Sequence, residues 1–165
     1  DQDLHRLLDV NLRGAIQLTQ TLLPVFNQLK RGTLVHIGGF ADGRLAFPFY
    51  TVDVATRAGL RSFIEALNRE LNHPDIVISY FCPAVADTEA ERPYHDLWRE
   101  MGVAIVPSEQ VARALLNAIH RKRRVTIMGT ATRLFAALNA VAPALADRVL
   151  MRHYSTILRR HFEST

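Results

Sequence analysis

The sequence predicts an α/β fold: a parallel sheet with helices on both faces, incomplete along its N-terminal edge. Three observations predict it. Stretches whose apolar residues recur at threes and fours alternate with short, almost unbroken apolar stretches rich in β-branched residues, the signatures of amphipathic helix and buried strand. Their order is helix, strand, helix, strand, helix, strand, helix, and such alternation joins parallel strands through right-handed crossovers. The strand stretches are apolar at consecutive positions, as in a sheet covered on both sides. Three strands are few against the roughly five or six of an average sheet, so the pattern implies further strands upstream of Asp1.

Taking the elements in order, Leu4, Leu7, Leu8, Leu12, Ala15, Ile16, Leu22, Leu23 and Phe26 form one stripe of a helix over residues 2–29, with Lys30-Arg31-Gly32 as a cationic last turn and a glycine stop. Thr33-Leu34-Val35-His36-Ile37 reads as a buried strand closing on Gly38-Gly39, with His36 expected as a hydrogen-bonded core histidine. Residues 40–50 hold Gly43 and Pro48 and read as loop. Val54, Ala55, Ala58, Phe63, Ile64, Leu67 and Leu71 make a second helix over 51–72, and His73-Pro74-Asp75 turns the chain into strand 76–82, stopped by Pro83. Residues 84–106 are the longest irregular region, with one short helix near 94–101; long loops in compact domains more often carry function than not. Ser108 is the predicted N-cap of a helix through His120, the run His120-Arg121-Lys122-Arg123-Arg124 leads into strand 125–128, and helices 131–142 and 144–160 flank Pro143. This divides the chain into a sheet-bearing domain, 1–129, and a C-terminal helical extension, 130–165.

At 165 residues, 48% hydrophobic and 22% charged, the composition is that of an ordinary globular domain and excludes disordered, collagenous and coiled-coil classes. The longest uncharged stretch of the C-terminal third, residues 134–146, is shorter than the roughly 20 residues that span a bilayer. A single cysteine, Cys82, excludes an internal disulfide and suits a reducing, cytoplasmic setting. The net charge of +4 is carried almost wholly by arginine, lysine standing only at 30 and 122. The 120–124 run lacks interleaved aromatics or a groove-reading motif, so a solvated helix end is the preferred reading and no nucleic-acid partner is expected. Helices 131–142 and 144–160, apolar with Arg133, Arg148, Arg152, Arg159 and Arg160, could lie on a membrane surface, but core packing or a subunit interface is preferred.

Few chemical motifs stand out. The run Gly38 to Gly43 follows a strand, yet residues 44–50 separate it from the next helix, whereas a phosphate loop opens directly into the helix whose amides take the anion. No two of the seven histidines share the i, i+4 spacing of a helical metal pair, so no metal site is expected. A Gly-x-Ser-x-Gly elbow is absent.

Together the segments resemble the short-chain dehydrogenase/reductases, nicotinamide-dependent oxidoreductases on a Rossmann-like fold. Asp9-Val10-Asn11-Leu12-Arg13-Gly14 is similar to the family's Val-Asn-x-x-Gly helix, Leu34 to Gly39 to the strand ending in the catalytic serine, and Ala55 to Leu60 to the helix of the Tyr-x-x-x-Lys motif. Phe81-Cys82-Pro83-Ala84-Val85-Ala86-Asp87-Thr88 is similar to the Pro-Gly-x-x-x-Thr segment facing the nicotinamide, and the tail from Arg123 to Arg148 resembles a bacterial subgroup with extended C-terminal helices. The resemblance covers nearly the whole chain and implies NAD or NADP as cofactor, an alcohol or carbonyl substrate, a lid at 89–106, and a homo-oligomer packed through helices 2–29 and 51–72. It also implies that the family's N-terminal cofactor-binding part, with its glycine loop, is missing here.

Carried over position by position, the family's asparagine is Asn11, its serine falls on Gly39, its tyrosine on Asp53 and its lysine on Arg57, while Pro83 and Thr88 take the nicotinamide-facing places. Of the four catalytic positions, only the asparagine, Asn11, is retained. A phenol lowered by a neighbouring cation can give and take a proton near neutral pH, whereas a carboxyl group, ordinarily near pKa 3.9, is already ionised and is a poor acid. Arginine spreads its charge over a rigid planar fork, unlike the compact ammonium of lysine. Tyr50 is a weaker alternative acid, with Val54 where its lysine would stand. Three functional readings follow: part of an NAD(P)-dependent oxidoreductase, a catalytically inactive relative acting in binding or assembly, and a small basic domain for anionic partners.

Overall fold

A computed structural model of the chain describes residues 2–39 and 43–163. The elements run α1 (Gln2–Leu8), a π-helical turn (Asp9–Arg13), α2 (Gly14–Leu29), β1 (Gly32–Ile37), α3 (Thr51–Glu70), β2 (Ile76–Cys82), β3 (Val85–Asp87), a 3₁₀ turn (Arg92–Tyr94), α4 (His95–Glu100), β4 (Ile105–Pro107), α5 (Ser108–His120), β5 (Val125–Ile127), α6 (Thr130–Val141), α7 (Pro143–His153) and α8 (Ser155–Glu163). Phe40, Ala41 and Asp42 of the glycine run lie outside the described residues.

The sheet is parallel, in the order β1-β2-β5, and β2 is its centre. All seven β2 residues are buried, which is why its sequence is apolar at consecutive positions. Ile78, Tyr80 and Cys82 pack against Leu60 and Ile64 of α3, with Leu12 and Ala15 of the first helical run over them, while Phe81, of opposite parity, shares a cavity wall with Val111 and Leu115 of α5. Helices therefore cover both faces, as predicted.

β1 pairs with β2 from Gly32↔Ile76 to Ile37↔Phe81, but β5 pairs only with its last three residues, Tyr80 to Cys82. Alternate residues of a parallel strand direct both backbone groups to the same neighbour, so Ile78 turns its N–H and C=O toward a strand that has not yet begun. Asn68 of α3 takes its place. Its Nδ2 donates to Ile78 O (2.7 Å) and to Ile64 O (2.8 Å), and its Oδ1 accepts from Ile78 N–H (3.3 Å). His36 is a core histidine as predicted: its Nε2 lies 2.8 Å from Thr19 Oγ1, tying β1 to α2, and burial lowers its pKa from 6.5.

Several local expectations change. The first helix ends on Lys30, itself left-handed (φ 53°), and Gly32 serves a different need, since a Cβ there would lie 2.3 Å from the Phe26 ring. The N-cap of α5 is Pro107 and not Ser108, because β4 pairs through Pro107 and the helix starts on the next residue. The region 84–106 is not simply irregular: β3 and β4 form a small parallel sheet around α4. The last predicted helix is two, broken at Tyr154 (φ −115°), which lets Leu150 pack with Leu45 while Leu158 packs with Leu97 and Met101. Among the described residues no helix is long and apolar enough to cross a membrane.

Replacing Asn68 by alanine orphans two buried backbone groups, so Asn68→Ala lowers unfolding stability by about 3 kcal/mol. Urea denaturation measures it; a loss below about 1 kcal/mol contradicts the strand-substitute role.

Candidate active site

The site is built at the C-terminal ends of β1 and β2, where open parallel sheets hold ligands. Beyond Ile37 the backbone must pass close to β2. Gly38 N–H donates to Phe81 O (2.7 Å), and a Cβ on Gly38 would lie 2.6 Å from the Tyr80 ring. Gly39 follows, and a Cβ there would lie 2.5 Å from Arg57 Nε and 2.8 Å from its Cδ and Cζ. The Arg57 side chain thus occupies the space above Gly39.

One turn apart on α3, Asp53 and Arg57 face each other, Arg57 Nε donating to Asp53 Oδ2 at 2.7 Å. The pair is half-buried, with side-chain exposures of 27% and 25%. The π-helical turn carries Asn11, and turns of this type occur frequently at functional sites. Asn11 Nδ2 donates to Asp53 Oδ1 (3.0 Å) and to Thr56 Oγ1 (3.2 Å), and the buried Thr56 hydroxyl donates to Asp53 O (2.7 Å). Each carboxylate oxygen of Asp53 therefore has its own donor, fixing the group in orientation.

Around this pair is a cavity of about 570 Å³. Gly39, Asp53, Arg57, Pro83 and Thr88 all line it, whereas Asn11 stands behind Asp53. Leu45, Phe47, Val54, Phe81, Trp98 and Leu115 make its apolar walls. Tyr50 and Glu91 also line it. The Tyr50 phenol is pushed above 10.0, mainly by burial and then by Tyr94, Glu91 and Asp53, and Glu91 accepts a hydrogen bond from Trp98 Nε1 (3.0 Å). Sequence reasoning missed Glu91 and the Leu45–Phe47 wall, since neither sits in a recognisable motif; Trp98, the only tryptophan, was the one available signal for the far wall. Among the described residues no cluster of three or more potential ligands for a metal occurs.

Chemically, the arrangement offers a carboxylate fixed by donors on both oxygens, a guanidinium already engaged with it, and a neutral phenol as a hydrogen-bond donor.

The family model described as short chain dehydrogenase matches residues 1–96, and the chain belongs to the short-chain dehydrogenase family. It is similar to the ketoacyl reductase HetN of Nostoc sp., 28% identical over 160 residues covering 89% of this chain and 53% of the relative. It is also similar to dehydrogenase/reductase SDR family member 7B of Bos taurus, 24% identical over 153 residues covering 88% and 47%. In structure it is similar to a short-chain dehydrogenase from Sphingobium yanoikuyae in complex with NADPH (TM-score 0.63, 25% identity, 89% of this chain and 57% of that one). The apo form of LigO from Sphingobium sp. shares the fold (TM-score 0.64, 20% identity, 97% and 57%). The chain spans about half the length of the curated relatives it matches.

Because Arg57 lies in the space of a side chain at 39 and can leave it only by giving up its pair with Asp53, Gly39→Ser lowers stability by about 0.5–1 kcal/mol. In an Arg57→Lys background the cost falls to near zero. A double-mutant cycle by thermal unfolding measures the coupling; additive effects contradict the shared space.

Proposed function

We propose that this chain forms the nicotinamide and substrate end of an NAD(P)-dependent oxidoreductase acting on an alcohol or carbonyl compound. The observation that carries the reading is the convergence of the family's positions, Gly39, Asp53, Arg57, Pro83 and Thr88, on one cavity at the sheet's C-terminal edge. The cavity suits the nicotinamide end of the cofactor: Pro83 and Thr88 border it from the chain after β2, and Thr88 offers a hydroxyl to a carboxamide. The phosphate end would need residues beyond those present, since no glycine loop opens into a helix in this sequence. A bound nicotinamide would give hydride to a carbonyl or take it from an alcohol. The chain's own residues hold Asp53 through Asn11, shield the site from water with Phe47, Trp98 and Leu115, and place the Tyr50 phenol at its wall.

A second reading is favoured by one observation, the 2.7 Å pair of Asp53 and Arg57. With the carboxylate held by two donors and no hydroxyl at 39, the site binds ligand without efficient proton transfer, as an inactive relative would. Under either reading residues 1–129 serve as the sheet-bearing domain and 130–165 as an extension. Assembly with a second copy through residues 2–29 and 51–72 is supported by the exposed Val10, Leu18, Val25 and Leu29 on the first of these helices.

Reduced nicotinamide mononucleotide, which lacks the adenosine half, tests the site in this chain. Its fluorescence should report saturable binding that weakens in Thr88→Val. The triple change Gly39→Ser, Asp53→Tyr, Arg57→Lys should raise carbonyl reduction by about 10²–10⁴-fold. Rapid turnover by the unchanged chain removes the second reading, and absence of binding in both proteins contradicts the first.

A further inference from the structure

The cavity is shaped by a helix that does not line it. α8 reaches two separate segments beside the site. Phe162 stacks on Phe49 (centroids 5.3 Å, planes 7° apart) and meets Tyr50 edge-on at 5.4 Å. On the other side Leu158, fully buried, packs with Leu97 and Met101, His161 meets Tyr94 edge-on at 6.3 Å, and Arg160 pairs with Glu100 at 3.0 Å. One helix thereby joins the loop before α3 to the segment around α4.

The loop contact has a particular consequence. Phe49 has a φ of +68°, a left-handed conformation that a bulky side chain rarely adopts without outside support. Its stack on Phe162 supplies that support. The next residue is Tyr50, which lines the cavity beside Asp53 and Arg57. Phe162 thus fixes the backbone turn that presents Tyr50.

The cavity's charges restrict what it accepts. Among the described residues that line it, Asp53 and Glu91 are two acidic side chains against the single guanidinium of Arg57, which Asp53 already engages. The remaining polar offers, the Tyr50 and Thr88 hydroxyls, suit an uncharged oxygen, and the walls are apolar. A carboxylate-bearing ligand would face like charge in a partly desolvated site.

We propose that α8 is a specificity determinant of this site, Phe162 acting as a positioning residue for Tyr50, and that the ligand is an uncharged carbonyl compound with an apolar body. This rests on the reading of the cavity as a carbonyl or alcohol site and narrows its substrate class.

Trp98, the only tryptophan, reports on the wall directly. Its emission in the intact chain is titrated with 2-octanone and with octanoate. The ketone should bind at least tenfold more tightly. Phe162→Ala should weaken ketone binding about tenfold, while Phe162→Tyr, which retains the stacked ring, should restore it; circular dichroism and the melting temperature establish that each variant is folded. Leu134→Ala, on the exposed face of α6, serves as a control and should leave binding unchanged. Octanoate binding as tightly as the ketone, no ketone binding, or an unaltered affinity in folded Phe162→Ala overturns the proposal. Ketone binding without nicotinamide-dependent turnover leaves this proposal standing and removes the oxidoreductase reading, whereas turnover of a keto acid in preference to a ketone does the reverse.

Discussion

The ion pair between Arg57 and Asp53 organises the site. Arg57 must lie back along α3 to reach the carboxylate at 2.7 Å, and in doing so it fills the volume over Gly39. A residue without a side chain at 39 and an arginine at 57 are therefore one arrangement and not two independent losses. Asn11 completes it from behind by holding the second carboxylate oxygen. Surface pairs of this i, i+4 kind contribute little to stability, but this one is half-buried and held by a third residue. Its main effect is geometric: it decides which atoms face the cavity.

The scaffold delivers these groups through a chain of close approaches at the buried strand. β2 is buried at every position, Gly38 passes under the Tyr80 ring, and the Tyr80 hydroxyl donates to Arg57 O at 3.4 Å. Asn68 lets α3 lie against the part of β2 that has no neighbour on the β5 side. The helix that carries Asp53 and Arg57 is thus fixed to the sheet at both ends. The π-helical turn carries Asn11, whose amide ties it to Asp53 and Thr56 of that helix.

The parallel sheet was legible because its strands are apolar on both faces and its helices keep their period over many residues. Gly39, Asp53, Arg57, Pro83 and Thr88 were named through the family resemblance and not from any pattern of their own, and the fold brings all five to one cavity. The remainder depends on contacts distant in sequence. The short strands β3 and β4 have three residues each and pair across an intervening helix, leaving too little pattern to detect. The break at Tyr154 carries no proline or glycine and follows from two separate packing demands, Leu150 on Leu45 and Leu158 on Leu97. Position 30 looked like the turn before a glycine stop, yet the lysine itself adopts the left-handed turn while Gly32 makes room for Phe26. Glu91 and the walls from Leu45 and Phe47 belong to no motif and reach the site only through the tertiary fold.

The central claim is that Arg57 is held by Asp53 above Gly39. The Nε–H of Arg57 is the atom that reports it, and nitrogen-resolved NMR of a labelled chain can follow that proton directly. The structure predicts a resonance protected from exchange with water, lost in Asp53→Ala and displaced in Gly39→Ser. An Arg57 Nε–H that exchanges as fast as that of the exposed Arg148, and is indifferent to both substitutions, would contradict it.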